Sequence, residues 1–289
     1  MSIKKAIFVV AGFGTRFLPA TYAQPKEMLP IVDKPIIQYL VEEVVAAGIS
    51  EIIFVTGRGK NSIENHFDRN FELESMLSQK GKEEKLREVE KISKLANFAY
   101  VRQPSQKGDG DALLCAKPFI DHNESVLVVF PDYLMPKENK AIKKIIEIYQ
   151  TYHEPVICGD IVEDSELTNY GVMAYEPTEN DEVVKVTGFV EKPKPDSAPS
   201  NLINAGYFII TPEVLKILEQ AESTNPDGEI RVADAFVKLT QNNSTIYALK
   251  PKLRGFDCGS ILGFLKATVV FGLQRQELGQ DFKEFLKKL

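Results

Sequence analysis

Histidine, cysteine and long apolar runs are scarce in this 289-residue chain, and each scarcity closes off a class of function. The three cysteines, Cys115, Cys158 and Cys258, are far apart, odd in number and without metal-ligand spacing. Neither a disulfide framework nor a zinc site is expected, and ordinary buried thiols in a reducing compartment are the simplest account. The three histidines, His66, His122 and His153, stand outside every motif found below, and nothing resembles a Ser-His-Asp set. Runs such as Ala6 to Gly12 and Ser125 to Phe130 have strand length. They fall short of the roughly 20 apolar residues that span a bilayer, so no membrane partner is expected. Met-Ser-Ile-Lys-Lys leads into a short apolar run with no small-residue cleavage pattern, which argues against a secretory signal and for a cytoplasmic protein. An excess of positive charge is also missing. The formal charge of −6 argues against a broad footprint on nucleic acid, yet leaves room for a few clustered cations around a small anion.

The hydrophobic share of 44% against 26% charged residues is that of an ordinary globular chain able to bury a full core. Strand-like runs alternate with helix-like segments in the first half: Lys5 to Val10, Pro35 to Gly48, Glu51 to Thr56, Asn61 to Phe67. Such alternation predicts an α/β fold with a mixed, mainly parallel sheet flanked by helices. The helix from Pro35 to Ala47 has proline at its start, apolar residues near i, i+3, i+4 spacing, and Gly48 where a C-terminal cap belongs. Lys80 to Lys94 mixes Glu with Lys and reads as a solvated helix on an insertion. Strands at Phe98 to Arg102 and Val126 to Phe130 bracket a helix at Asp111 to Lys117. Beyond about residue 155 the pattern shifts to strands at 156–162, 171–175, 183–191 and 204–211, a smaller β-rich extension closing one side of a cleft. Helices resume near Pro212, Ile230 and Ile261. With no repeat or low-complexity linker, residues 1–289 are expected to form one domain, in parts 1–155, 156–260 and 261–289.

The first strand ends in Ala11-Gly12-Phe13-Gly14-Thr15-Arg16-Phe17-Leu18-Pro19, followed by Pro25-Lys26-Glu27-Met28-Leu29-Pro30. Glycines after a strand let the backbone approach a ligand and turn its N–H groups toward phosphate oxygens. Two familiar glycine loops do not fit: a dinucleotide fingerprint needs glycine where Phe17 stands, and a P-loop needs Gly-Lys-Ser/Thr. A plain strand-to-loop turn would explain Gly-x-Gly alone. The longer pattern, Gly-x-Gly-Thr-Arg-x-x-Pro and then Pro-Lys, resembles the signature of the nucleoside-diphosphate-sugar pyrophosphorylases. The run Lys26 to Pro35, with Val55-Thr56-Gly57-Arg58-Gly59-Lys60, is similar to their glucose-1-phosphate uridylyltransferase branch. That resemblance recurs along nearly the whole chain and implies a Rossmann-like, GT-A-type fold. It also implies the reaction UTP plus glucose 1-phosphate giving UDP-glucose and pyrophosphate, and assembly as a homodimer or homotetramer.

Carried over position by position, the resemblance sets Ala11 and Gly12 against the base, with Gly14 and Thr15 in the same nucleotide loop. Arg16 and Lys26 would grip the phosphates, and Glu27 would sit near the nucleoside. Gln103, which offers both a donor and an acceptor, would meet the pyrimidine edge ahead of Gly108. Asp132, just past the strand at Val126, and Asp257 would bind Mg²⁺, an ion suited to hard carboxylate oxygens. Without the resemblance, Asp132 would read as a turn former and Asp257 as a helix cap. Gly171, Glu191 and Asn204 would contact the hexose, and Lys192 its phosphate. Two segments depart from the family. Its Leu-Gly-Leu-Gly-His run is here Lys107-Gly108-Asp109-Gly110-Asp111, and Asn204-Ala205-Gly206-Tyr207 looks closer to enzymes of other sugars. Other substrates therefore stay open, namely dTTP or GTP and mannose or N-acetylglucosamine 1-phosphate, as does a noncatalytic regulator that binds a sugar nucleotide.

Overall fold

The computed structural model describes residues 2–221 and 227–289. Its strands are β1 (Lys5–Val9), β2 (Pro30–Ile31), β3 (Lys34–Pro35), β4 (Glu51–Thr56), β5 (Asn97–Arg102), β6 (Val126–Val129), β7 (Tyr133–Leu134), β8 (Val156–Ile161), β9 (Gly171–Pro177), β10 (Val183–Glu191), β11 (Leu202–Ile210), β12 (Ile246–Leu249) and β13 (Phe256–Asp257). The helices are α1 (Ile36–Ala46), α2 (Asn61–Phe67), α3 (Phe71–Gln79), α4 (Glu83–Ser93), α5 (Asp109–Ala116), α6 (Ala141–Tyr152), α7 (Pro212–Glu219), α8 (Val232–Gln241), α9 (Ile261–Leu273) and α10 (Gly279–Leu286). Pro35 opens α1, and Gly48 stops it with φ at 95°, a region that L side chains avoid. Helix α4 buries none of its residues and lies against α3, the solvated insertion that its charges predict.

Nine strands make one sheet in the order β5-β4-β1-β6-β11-β8-β12-β10-β9. The first four are parallel neighbours, and β8 and β12 also run parallel. Strand β11 enters antiparallel between β6 and β8, and β10 is antiparallel to both β12 and β9. The β-rich second half is therefore no separate layer. It continues the same sheet, because β11 pairs along both of its edges and leaves none exposed.

The sheet is covered on both faces, which explains why its strands are continuous apolar runs. Alternate residues face opposite cores. Ala6, Phe8, Leu127 and Val129 pack with α1, α2 and α6, whereas Ile7, Val126 and Val128 pack with α5, α7 and α8. Phe8 and Phe54 are fully buried, with ring centroids 5.3 Å apart. Truncating either to alanine removes about 3–5 kcal/mol in sites of this kind.

Candidate active site

Three parallel strands deliver their carboxyl ends to one crevice, where open α/β sheets bind ligands. Strand β1 runs out into Ala11 and Gly12, β5 into Gln103, and β6 into Pro131 and Asp132. Two adjoining cavities occupy that crevice. One, of about 250 Å³, is bordered by Ala11, Gly12, Lys26, Glu27, Gln103, Gly108 and Asp132. The other, of about 530 Å³, is bordered by Arg16, Asp132, Gly171, Glu191, Lys192, Asn204 and Asp257. Most residues expected to hold a nucleotide thus fall around the first cavity and those expected to hold a sugar phosphate around the second, whereas Arg16, expected on the nucleotide phosphates, borders the second. Gly14 and Thr15 border neither and support the loop between them.

The loop geometry is built by its glycines. Gly14 has φ of 68°, and a Cβ there would come within 3.1 Å of the Lys26 Cβ. A Cβ at Gly12 would meet no protein atom within 4 Å, so this backbone stays uncovered toward the cavity. Thr21 donates its hydroxyl to Gly14 O at 2.7 Å and ties the loop down.

Lys26 and Asp132 join where the cavities meet, with Nζ donating to Oδ2 at 2.7 Å. Burial opposes the charge on Lys26, but Asp132 and Glu27 outweigh it and raise its pKa. Burial likewise opposes ionisation of Asp132, and Lys26 outweighs it, so this pKa is lowered. Each partner keeps the other charged. Behind them Lys60 donates to Glu27 Oε2 at 2.8 Å in a fully buried pair. Burial lowers the Lys60 pKa despite Glu27. The other oxygen, Glu27 Oε1, has no hydrogen-bond partner among the described residues.

Asp257 reaches Asp132 through a miniature ribbon. Phe256 pairs with Leu134 and Asp257 with Tyr133, while the Gly259 N–H donates to Asp132 O at 3.0 Å. The Tyr133 hydroxyl donates to buried Asp160 at 2.6 Å, and Gly255 N–H donates to the same oxygen at 2.7 Å, so this ribbon is anchored to β8. Asp257 accepts from Tyr170 Oη at 3.0 Å and from Gly259 N–H at 2.9 Å. The cap of α9 is instead Ser260, which accepts from Gly263 N–H at 3.1 Å. Both carboxylates lie within 3.2 Å of the point that a Cβ on Gly259 would occupy, with Arg16 Nη1 at 3.5 Å. Only glycine leaves that point open.

On the sugar side, a Cβ on Gly171 would come within 2.5 Å of the Phe189 ring and 2.9 Å of Glu191 Oε2. Lys192 adopts φ of 47° and stands 3.7 Å from Glu191 Oε1. Asn204 Oδ1 accepts from Gly206 N–H at 2.9 Å. The amide nitrogen of Gln103 donates to Gly108 O at 2.9 Å and to Asp111 Oδ2 at 2.8 Å. Its donors are therefore committed within the protein, and the carbonyl oxygen is the group left for a ligand.

Several lining residues were not among the expected site residues: Gln106, Asp109, Glu229 and Arg231. Gln106 donates to Ala11 O at 2.7 Å and closes the first cavity. The histidines stay apart from both cavities; His66 bonds Gln38 at 2.9 Å and packs edge-on against Phe67. The cysteines are free thiols, and no cluster of three or more His, Cys, Asp or Glu able to hold a metal occurs among the described residues.

The sequence model of the nucleotidyl transferase family matches residues 5–271. The chain belongs to that family. It is 44% identical over 289 residues to UTP–glucose-1-phosphate uridylyltransferase 1 of Staphylococcus saprophyticus, covering 100% of this chain and 99% of the relative. Its fold is similar to that of a UTP-bound UGPase from Acinetobacter baumannii, with a TM-score of 0.90, 40% identity and 99% of each chain covered. A UDP-glucose pyrophosphorylase solved in complex with UDP-glucose superposes with a TM-score of 0.84 at 36% identity, over 94% of this chain and 100% of that one. As a member of the family, this chain has the two-cavity crevice of a transferase that brings a nucleotide and a second substrate together.

Proposed function

We propose that the protein transfers the uridylyl group of UTP to glucose 1-phosphate, forming UDP-glucose and pyrophosphate. The observation that carries this reading is the Lys26–Asp132 pair at the junction of the two cavities, beside Arg16 and Asp257. It is supported by the names of the relatives and by the UTP and UDP-glucose that the similar structures hold. An anionic oxygen of the sugar phosphate attacks the α-phosphorus of UTP. The bond from that phosphorus to the bridging oxygen of the β-phosphate breaks, and pyrophosphate leaves with the electron pair. The attacking oxygen is already ionised, so no protein base or nucleophile is needed, and positioning plus charge neutralisation carry the rate. Two unit charges repel by about 4 kcal/mol roughly 4 Å apart at an effective dielectric of about 20. Arg16 and Lys26 offset that repulsion on the nucleotide, and Lys192 offsets it on the sugar phosphate.

Gln103 presents its carbonyl oxygen, which matches the N3–H of uracil and not the bare N3 of cytosine. Glu27 backs the nucleoside from the cavity floor. Gly171, Glu191 and Asn204 hold the hexose. The carboxylates of Asp132 and Asp257 converge beside Gly259, and as hard oxygen donors they suit Mg²⁺. Bound there, Mg²⁺ supplies positive charge to the departing pyrophosphate.

Pyrophosphate release with purified protein, Mg²⁺ and glucose 1-phosphate, across UTP, dTTP, CTP, ATP and GTP and with an EDTA control, tests the reading. Metal-dependent release with UTP well above the others is expected. A different preferred nucleotide would move the substrate assignment, and silence with every nucleotide and sugar phosphate would favour a noncatalytic binder. Exposed Ile261, Leu262 and Leu265 on α9 support self-association as a dimer or tetramer, which light scattering reads directly. Three free thiols fit a cytoplasmic enzyme, and no described helix is long and apolar enough to cross a membrane.

A further inference from the structure

Asp109 occupies a position where the family pattern carries leucine, and it borders both cavities. Its place is fixed by a clasp between two segments far apart in sequence. Ile230 N–H donates to Lys107 O at 2.8 Å, and Gly110 N–H donates to Ile230 O at 2.9 Å. Val232 N–H, at the start of α8, donates to Asp109 Oδ1 at 2.7 Å. The two backbones are so close that a Cβ on Gly108 would come within 2.2 Å of Ile230 O. Oδ1 is thus held by the protein, whereas Oδ2 has no hydrogen-bond partner among the described residues.

The charges around Asp109 decide what Oδ2 can meet. Burial pushes the carboxyl up to about 6 from 3.8; Val232 N–H and Arg231 oppose the shift, and Glu191 and Glu229 add to it. A wall carrying Asp109, Glu191 and Glu229 repels a phosphate and favours a neutral group that donates a hydrogen bond. Among the groups that the proposed substrates place beside Glu191, those are hexose hydroxyls.

We propose that Asp109 Oδ2 accepts a hydrogen bond from one hydroxyl of the bound hexose, making Asp109 a specificity-determining residue of the sugar subsite. The proposal rests on the uridylyl-transfer reading above. A leucine here packs against a sugar without distinguishing a hydroxyl from a hydrogen. An acceptor that the bound sugar shields from water must be paired, so it rejects the analogue that lacks the donor. This chain therefore selects its hexose 1-phosphate at that position by chemistry as well as by shape.

The test compares kcat/KM for glucose 1-phosphate and its monodeoxy analogues, in the wild type, in Asp109→Asn and in Asp109→Leu. Asparagine keeps an oxygen for Val232 N–H, which fixes the side chain and turns its NH₂ toward the sugar. The clasp survives, but a hydroxyl can accept from that NH₂, so asparagine inverts the hydrogen bond and the deciding variant is Asp109→Leu. Wild type is expected to disfavour one deoxy analogue by about 10- to 100-fold. In Asp109→Leu, which restores the family residue, that single ratio collapses, while the other ratios and the preference for UTP over 2′-deoxyUTP stay as they were. Asp109→Asn lowers the ratio less, because its NH₂ still pairs with the hydroxyl, and thermal melts of both variants confirm folding. Unchanged ratios in a folded, active Asp109→Leu would overturn the inference alone, as would a change confined to UTP against 2′-deoxyUTP. A wild type inactive with every hexose 1-phosphate would overturn the proposed function and this inference together.

Discussion

Lys26 and Asp132 each help to keep the other charged, and that mutual support sets the effect of removing either. Lys26→Ala takes positive charge away from the reacting phosphates, and Asp132→Ala leaves Lys26 without its nearest counter-ion. We expect kcat to fall about 100- to 1,000-fold in each, with far-UV circular dichroism unchanged and the double variant less than additive. Near-normal turnover in both would contradict their placement. Gln103 gives a second prediction at this scale. Asp111→Ala frees an N–H of the amide, and the side chain can then turn its donor toward a base. Discrimination between UTP and CTP should fall by about tenfold, read as a ratio of kcat/KM values. Arg16, Lys26, Asp132 and Asp257 were picked out through the family resemblance, since Asp132 alone reads as a turn former and Asp257 as a helix cap. Glu229 and Arg231 were not, since backbone hydrogen bonds to residues 107–110 bring them in and no local pattern encodes such pairing.

Among the elements, the smallest ones do most to assemble the site. Strands β7 and β13 have two residues each, yet their pairing sets Asp257 beside Asp132. Gly255 permits it, because a Cβ there would lie 2.5 Å from the Tyr133 ring and 2.9 Å from Leu134 O. Gly255→Ala should cost about 1–3 kcal/mol of stability and at least about tenfold in kcat, checked by urea melts and initial rates. Full activity with unaltered stability would show that the ribbon does not position the aspartates. Two-residue strands have no period, so the sequence could not announce them. Helix α6 is a different case: it is absent from the expected elements, although Ala141, Ile142, Ile145, Ile146 and Tyr149 recur at helical spacing and are buried. The four-residue β12 lay below the length at which alternation is readable.

For the molecule as a whole, strand order was the least legible property, because neighbours in the sheet are remote in the chain. Alternation correctly implied parallel strands in the first half, but nothing local says that β11 returns between β6 and β8. Global stability carries its own signature in Glu43, which accepts from Ile142 N–H at 3.3 Å where α1 meets α6. Burial pushes its carboxyl up to about 7 from 4.5, against the opposing pull of Ile142 N–H and Lys137. The folded state then holds the proton more tightly than the unfolded state, so the contribution of Glu43 to stability is fully present below pH 4.5 and is lost as pH rises through 7. Glu43→Gln keeps the carbonyl acceptor and should be more stable than wild type at pH 8 by about 1–3 kcal/mol, with the two converging toward pH 5. Equal melts at both pH values would contradict it. The central claim, direct displacement at the α-phosphorus with no covalent intermediate, is tested by stereochemistry. Glucose 1-phosphate and one diastereomer of UTP sulfur-labelled at the α-phosphate would be turned over, and the product's configuration read by phosphorus NMR. Direct displacement gives a thio-UDP-glucose inverted at the α-phosphorus with pyrophosphate in equal amount; retention, or the absence of a uridylyl sugar, would rule it out.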